Sequence, residues 1–139
     1  MGKAKGVAKA IFKAFPYADI YNIPNRRGWI GTADVRVADE AKTSQETPTV
    51  INLMAQMYPG HPRSGDDEEE RLKWLKLAIR SALRHWDSFG VSPPKFFIPF
   101  GMGCHLAGGD WDKVSKVITG MEVIHGARFF ACFQKMTLA

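Results

Sequence analysis

Ile98-Pro-Phe-Gly-Met-Gly-Cys-His-Leu-Ala-Gly-Gly-Asp-Trp-Asp-Lys-Val114 is the stretch that decides the fold. The apolar segment Lys95-Phe-Phe-Ile-Pro-Phe100 leads into it and predicts a strand. A loop with Gly101, Gly103, Gly108 and Gly109 follows, and a helix is expected to open at Asp110, a residue type that caps helix N-termini. Glycine accepts positive φ and lets the backbone approach a ligand with no Cβ in the way. Successive N–H groups in such a turn form an anion-binding concavity, and the positive end of the next helix adds to it. Strand, glycine loop and helix in this order fit a phosphate cradle. Glycine-rich junctions also serve merely to turn the chain, and spacing alone does not separate the two uses.

On the N-terminal side, residues 6–15 predict a short helix with Val7, Ala10, Ile11 and Ala14 on one face and Lys9 and Lys13 on another, ended by Pro16. Residues 17–30 read as irregular. Residues 32–37 alternate in the manner of a half-buried edge strand, and residues 38–48 are polar and loop-like. The nearly continuous apolar run Val50-Ile-Asn-Leu-Met-Ala55 suits a strand covered on both faces. Pro59 to Gly65 is turn-rich. The acidic run Asp66-Asp-Glu-Glu-Glu70 is read as complementing the dipole of a following helix rather than as a metal site. Leu72, Leu75, Ile79, Ala82, Leu83 and Trp86 then keep helical spacing toward Gly90, a suitable left-handed stop, with Trp74, Lys76 and Arg80 on the more exposed sides. In the helix after Asp110, the residues Val114, Val117, Ile118 and Met121 point inward, and residues 127–133 form a last strand.

The expected order is therefore α, β, β, α, β, α, β in one domain, residues 1–139. Two long helical connections argue an α/β class with a partly parallel sheet and helices on both faces. In such sheets ligands bind beyond the carboxyl ends of strands, where residues 101–109 fall.

Composition narrows the class. The chain has 139 residues, 45% hydrophobic and 24% charged, enough for a single core and against disorder. No apolar run approaches the roughly 20 residues that span a bilayer, so no membrane partner is expected. The basic start Met1-Gly-Lys-Ala-Lys-Gly is followed by no apolar h-region, which argues against a signal peptide. An intracellular, cytoplasmic protein is the simplest expectation, with the nucleus left open. Cys104 and Cys132 fit neither metal spacing nor a disulfide framework, so no metal or cofactor is expected. Cys132, in an apolar run, reads as a buried small hydrophobe; Cys104 reads as packing beneath or against a ligand rather than as a nucleophile. The net charge of +5 comes from charges spread along the chain, with Lys3, Lys5, Lys9 and Lys13 concentrated at the N-terminus and Arg26-Arg27 as a second small group, neither interleaved with aromatics. Attraction of a small anion explains it with fewer assumptions than RNA binding.

Gly103-Cys-His-Leu-Ala-Gly-Gly-Asp-Trp111 resembles the second ligand loop of the macro domain family, in the branch of ADP-ribose-1″-phosphate phosphatases and ADP-ribose glycohydrolases. Residues 1–17 look like that family's first loop running into its first helix. Thr49-Val-Ile-Asn-Leu-Met-Ala-Gln56 resembles a core strand, and Glu70-Arg-Leu-Lys-Trp-Leu75 the helix after it. The resemblance implies a three-layer α/β/α mixed sheet, shortened at the N-terminus. It implies binding of ADP-ribose or a related nucleotide, with hydrolysis of ADP-ribose-1″-phosphate or removal of ADP-ribose from targets as the activities. By the same resemblance, Gly2, Lys5, Gly6, Val7 and Ala8 on the first loop, with Gly101, Met102, Gly103, Cys104 and His105 on the second, would hold the diphosphate between them.

The chain departs from the family at several points. It begins within the first loop, so the family's adenine-holding acidic residue and the asparagine facing the distal ribose have no counterpart. His105 stands where relatives have glycine, Ala107 where some have a catalytic aspartate, and the core strand offers Asn52 and Gln56 but no lysine. A covalent lysine mechanism is disfavoured. Asp110 and His105 are the candidates to assist a water against phosphate, Asp110 in competition with its capping role. The alternative is a non-enzymatic module binding nucleotide, RNA or protein. The family's central strand lies between the strands matching residues 49–56 and 96–99. Two outcomes follow: the two strands pair directly, the expectation favoured here, or a second chain donates a strand between them through self-association.

Overall fold

Two helices carry the core of the structure, a computed structural model that describes residues 6–20, 29–37, 48–56, 60–87, 90, 95–102, 104 and 108–132. Helix α2 (Glu68–Asp87) starts where the side chain of Asp67 accepts a hydrogen bond from the Glu70 N–H at 2.8 Å, and three glutamates fill its first turn. Helix α3 (Trp111–His125) starts at Asp110, whose carboxylate accepts from the Asp112 N–H at 2.9 Å. It stops at Gly126, left-handed with φ 68°, whose N–H reaches the Glu122 carbonyl. Each end thus supplies partners for backbone groups that a helix leaves unbonded. Leu75, Ile79 and Leu83 of α2 meet Val114, Ile118 and Met121 of α3 in one cluster that also holds Phe96 and Ala127. Lys113 pairs with Glu68, joining the first turns of the two helices at the surface.

The remaining elements are α1 (Gly6–Ala14), a single 3-10 turn at Pro16–Ala18, and strands β1 (Ala33–Arg36), β2 (Val50–Leu53), β3 (Lys95–Pro99) and β4 (Arg128–Cys132). The expected order of elements holds, and the class is mixed α/β. Strands β3 and β4 run parallel, joined through α3, with Phe96 opposite Phe129 and Phe97 opposite Phe130. The first ring pair stacks at 5.0 Å on the helix side, where Trp86 meets Phe96 edge-on at 5.4 Å. The second pair stacks at 5.5 Å on the other face, with Phe97 68% exposed.

Strands β1 and β2 pair antiparallel. Side chains alternate across a strand, and β2 uses both faces. Ile51, Leu53 and Ala55 pack against the α2–α3 cluster, whereas Val50 and Met54 pack against Phe12, Ala18 and Ile20 of the α1 region. Asn52 donates to the Ala18 carbonyl at 3.1 Å, holding the 3-10 turn onto the strand. Ser81 of α2 accepts from the Ala33 N–H at 3.2 Å, so β1 is also held to the helix layer.

Several expectations are corrected. The strands form two two-stranded sheets, β1–β2 and β3–β4, and the expected direct pairing of β2 with β3 is not present among the described residues. Ile51, Leu53 and Phe96 find apolar neighbours in the α2–α3 cluster, so their hydrophobicity does not require the strands to touch each other. The expected cover of β2 on both faces is present, by the α1 region on one side and the α2–α3 cluster on the other, although all four of its residues remain half-buried. Cys132 is exposed: it ends β4 opposite Pro99, on the face it shares with Phe97 and Phe130. Trp74 and Arg80 are half-buried and Lys76 is exposed, so these sides of α2 are more open than the face of Leu75, Ile79 and Leu83, as expected. Helix α1 ends one residue before Phe15, and Pro16 opens the 3-10 turn because its fixed φ suits a first helical position. No described helix is long and apolar enough to cross a membrane.

Met121 is 1% exposed at the centre of the helix pair. Met121→Ala is expected to lower stability by about 2–5 kcal/mol, through lost transfer energy and the cavity left behind. Urea unfolding with an unchanged slope and a lowered midpoint checks this.

Candidate ligand site at the glycine loop

The loop after β3 begins as two overlapping turns. The Phe100 N–H bonds the Cys132 carbonyl at 2.8 Å and so extends the parallel pairing by one residue. Met102 N–H then returns to Pro99 at 3.1 Å and Cys104 N–H to Gly101 at 2.9 Å. Gly101 is buried with φ 75°, a conformation that a residue with a Cβ resists. Met102 and Cys104 pack against the α2–α3 cluster, which fixes the loop's first half on the core. Burial, and after it the charge of Asp110, pushes the Cys104 thiol above its usual range. A thiol held protonated is a poor nucleophile, in line with the packing role expected for it. The loop's far end is fixed by Asp110, which caps α3 as the sequence predicts.

A second loop comes to this one from the start of α2. Asp66 is fully buried, and both its carboxylate oxygens accept from Arg71, at 3.0 Å from Nε and 2.7 Å from Nη2. Arg71 also donates to the carbonyls of Gly60, at 2.8 Å, and His61, at 3.4 Å. Arg63 and Asp66 exchange backbone hydrogen bonds across the turn. The result is a closed loop, residues 60–66, whose open end carries His61 onto Gly108. A Cβ built on Gly108 would lie 2.7 Å from His61 Cε1, 2.9 Å from Cγ, and closer still to Nδ1. Gly108 has φ 70°, so both its backbone and its neighbour require glycine.

The expected first loop is described only in part. Gly2, Lys5, Gly103 and His105 lie outside the described residues. Gly6, Val7 and Ala8 open α1. Ala8, with Phe12 and Ile20, walls a cleft of about 190 Å³ whose other side is residues 52–56. Met54 belongs to the α1 cluster, whereas Ala55 packs on the cluster that holds Met102 and Cys104. The carboxyl end of β2 is therefore the element that both candidate loops share.

Two features escaped the sequence reading. Sequence places Asp66 among the helix-start acids, yet it is the buried partner of Arg71; an aspartate five residues before an arginine at a helix start is the only trace of this in sequence. His61 lies within a turn-rich segment, and nothing local marks it as reaching residue 108. Among the described residues, no group of three His, Cys, Asp or Glu side chains is placed to hold a metal ion. No family model, curated protein or solved structure matches the chain.

Two substitutions separate the supports of the site. Asp110→Ala is expected to cost about 0.5–2 kcal/mol by removing the cap, seen as a lowered thermal midpoint. Arg71→Met leaves Asp66 buried without its cation and is expected to cost about 3–5 kcal/mol in chemical denaturation.

Proposed function

We propose that this chain is a macro-domain-like binder of ADP-ribose or a close derivative. The observation that carries the reading is the junction at residues 99–111. There a parallel strand ends in a glycine loop with Gly101 and Gly108 left-handed, and leads directly into a capped helix. Backbone N–H groups in such a loop, at the positive end of a 15-residue helix, suit a diphosphate. Three further features support it. The order of elements is the one the resemblance implies. Strand β2 has α1 on one face and the α2–α3 cluster on the other, as a layered α/β/α arrangement requires. The sheet is divided between β2 and β3, the place where the family has its central strand.

Binding needs only the loops; hydrolysis needs more. One oxygen of Asp110 is engaged by the Asp112 N–H, and the side chain is otherwise exposed. A water held between that carboxylate and a terminal phosphate would be oriented for attack on phosphorus, with His105 as the second candidate to assist. This makes hydrolysis of ADP-ribose-1″-phosphate the activity to assay, or removal of ADP-ribose from a modified target. A second reading, a non-enzymatic module for RNA or protein, is favoured by one observation. The face of β3–β4 away from the helices carries the exposed Phe97–Phe130 pair beside Lys95 and Arg128. Aromatic rings flanked by cations suit stacked bases and phosphates.

Calorimetric titration with ADP-ribose and with short single-stranded RNA, each at two salt concentrations, distinguishes the readings. The first expects a stoichiometric ADP-ribose signal with weak salt dependence, abolished in Gly103→Val while the helical circular dichroism remains. A steeply salt-dependent RNA signal without ADP-ribose binding would establish the second.

A further inference from the structure

We infer that His61 is a side-chain donor to the phosphate of the bound nucleotide, held over the glycine loop by the buried Asp66–Arg71 pair. The inference rests on the ADP-ribose reading and adds a residue from a different segment of the chain. A buried ion pair is weak evidence for stability, because desolvation offsets most of its attraction. Its geometry here serves the backbone of the loop instead. Arg71 is bound bidentately by a fully buried carboxylate, and its remaining donors reach the carbonyls of Gly60 and His61. An exposed histidine is thereby carried on a backbone that is fixed from below.

The imidazole is placed against one residue of the glycine loop. Its Nδ1, Cγ and Cε1 atoms are those nearest to Gly108, so Nε2 lies on the far side of the ring. Gly108 stands two residues before the Asp110 cap, so the ring lies against the segment that leads into α3. Backbone N–H groups and a helix N-terminus offer a phosphate only main-chain donors. An imidazole N–H adds a side-chain donor, and a hydrogen bond to a charged acceptor is stronger than one between neutral groups. His61 brings this donor from a segment separate from the glycine loop.

The test pairs two variants with a spectroscopic readout on the native protein. His61→Ala is expected to weaken ADP-ribose binding by about tenfold or more, the loss of one hydrogen bond to a charged group. His61→Gln, whose amide nitrogen can replace Nε2, is expected to recover most of the affinity. In the native protein, the Cε1–H signal of His61 is expected to shift on addition of inorganic pyrophosphate. If native protein binds ADP-ribose and His61→Ala binds it equally or more tightly, the inference is overturned and the ADP-ribose reading stands. If native protein binds no ADP-ribose, that reading fails by itself. A His61 signal unmoved by pyrophosphate then removes the inference as well.

Discussion

The contact between α2 and α3 is the constraint on which the rest of the structure depends. Leu75, Ile79 and Leu83 recur at spacings of four, as Val114, Ile118 and Met121 recur at four and three, so each set lies along one helix face. Bringing those stripes together sets the directions in which α2 and α3 leave their preceding loops. The loop that carries His61 and the glycine loop enter this pair at the same end, one before Glu68 and one before Trp111. The Lys113–Glu68 pair joins the same two first turns. Residues 60–66 and 100–110 therefore meet because of packing among apolar side chains that touch neither loop tip. The strands are held to the same helices: Phe96 directly, and β2 through Ile51 and Leu53.

Legibility in the sequence follows from how local each determinant is. The helices were readable because apolar spacing, an aspartate cap and a glycine stop all lie within the element itself. Asp110 and Gly126 behave as their residue types predict. The strands were readable as segments but not as partners. Val50–Leu53 is apolar as cover on both faces requires, and helical elements supply that cover without β2 pairing with β3. Cys132 shows the same limit, since an apolar neighbourhood in sequence does not say which side of a two-stranded sheet faces the core. The glycine loop was legible because its conformational demand is written in its composition. His61 was not, because its role depends on a contact across 47 residues made by a side chain with no local signature.

The site also divides into parts with different physical origins. Gly101 and its two turns are fixed by hydrogen bonding and by burial of Met102 and Cys104, so their geometry is set when the core forms. The loop carrying His61 is fixed by charge instead, through one carboxylate and one guanidinium removed from water. A planar guanidinium with five donors in a fixed fork can hold a carboxylate and two carbonyls at once, which a lysine ammonium cannot do with the same geometry. Apolar side chains in that place would keep the helix but would leave the carbonyls of residues 60 and 61 without these donors. This gives a physical reason for a charged pair where an apolar one would fold as well.

The inner edges of β2 and β3 bear on how the two halves of the site are joined. Each strand gives one edge to its neighbour, β1 or β4, and neither pairs with the other among the described residues. Backbone N–H and C=O groups along a strand edge need partners, and partly buried ones need them most. Water meets that need where the edge is wet, and an extended segment meets it where the edge is covered. The carboxyl end of β2 touches the α1 cluster through Met54 and the helix-pair cluster through Ala55. Pairing along that edge would therefore act on both loops together. It would stiffen the strand end against which one loop opens and would set its separation from the β3 end that launches the other. Occupation of the edge and the spacing of the two candidate loops are in this way one variable, not two.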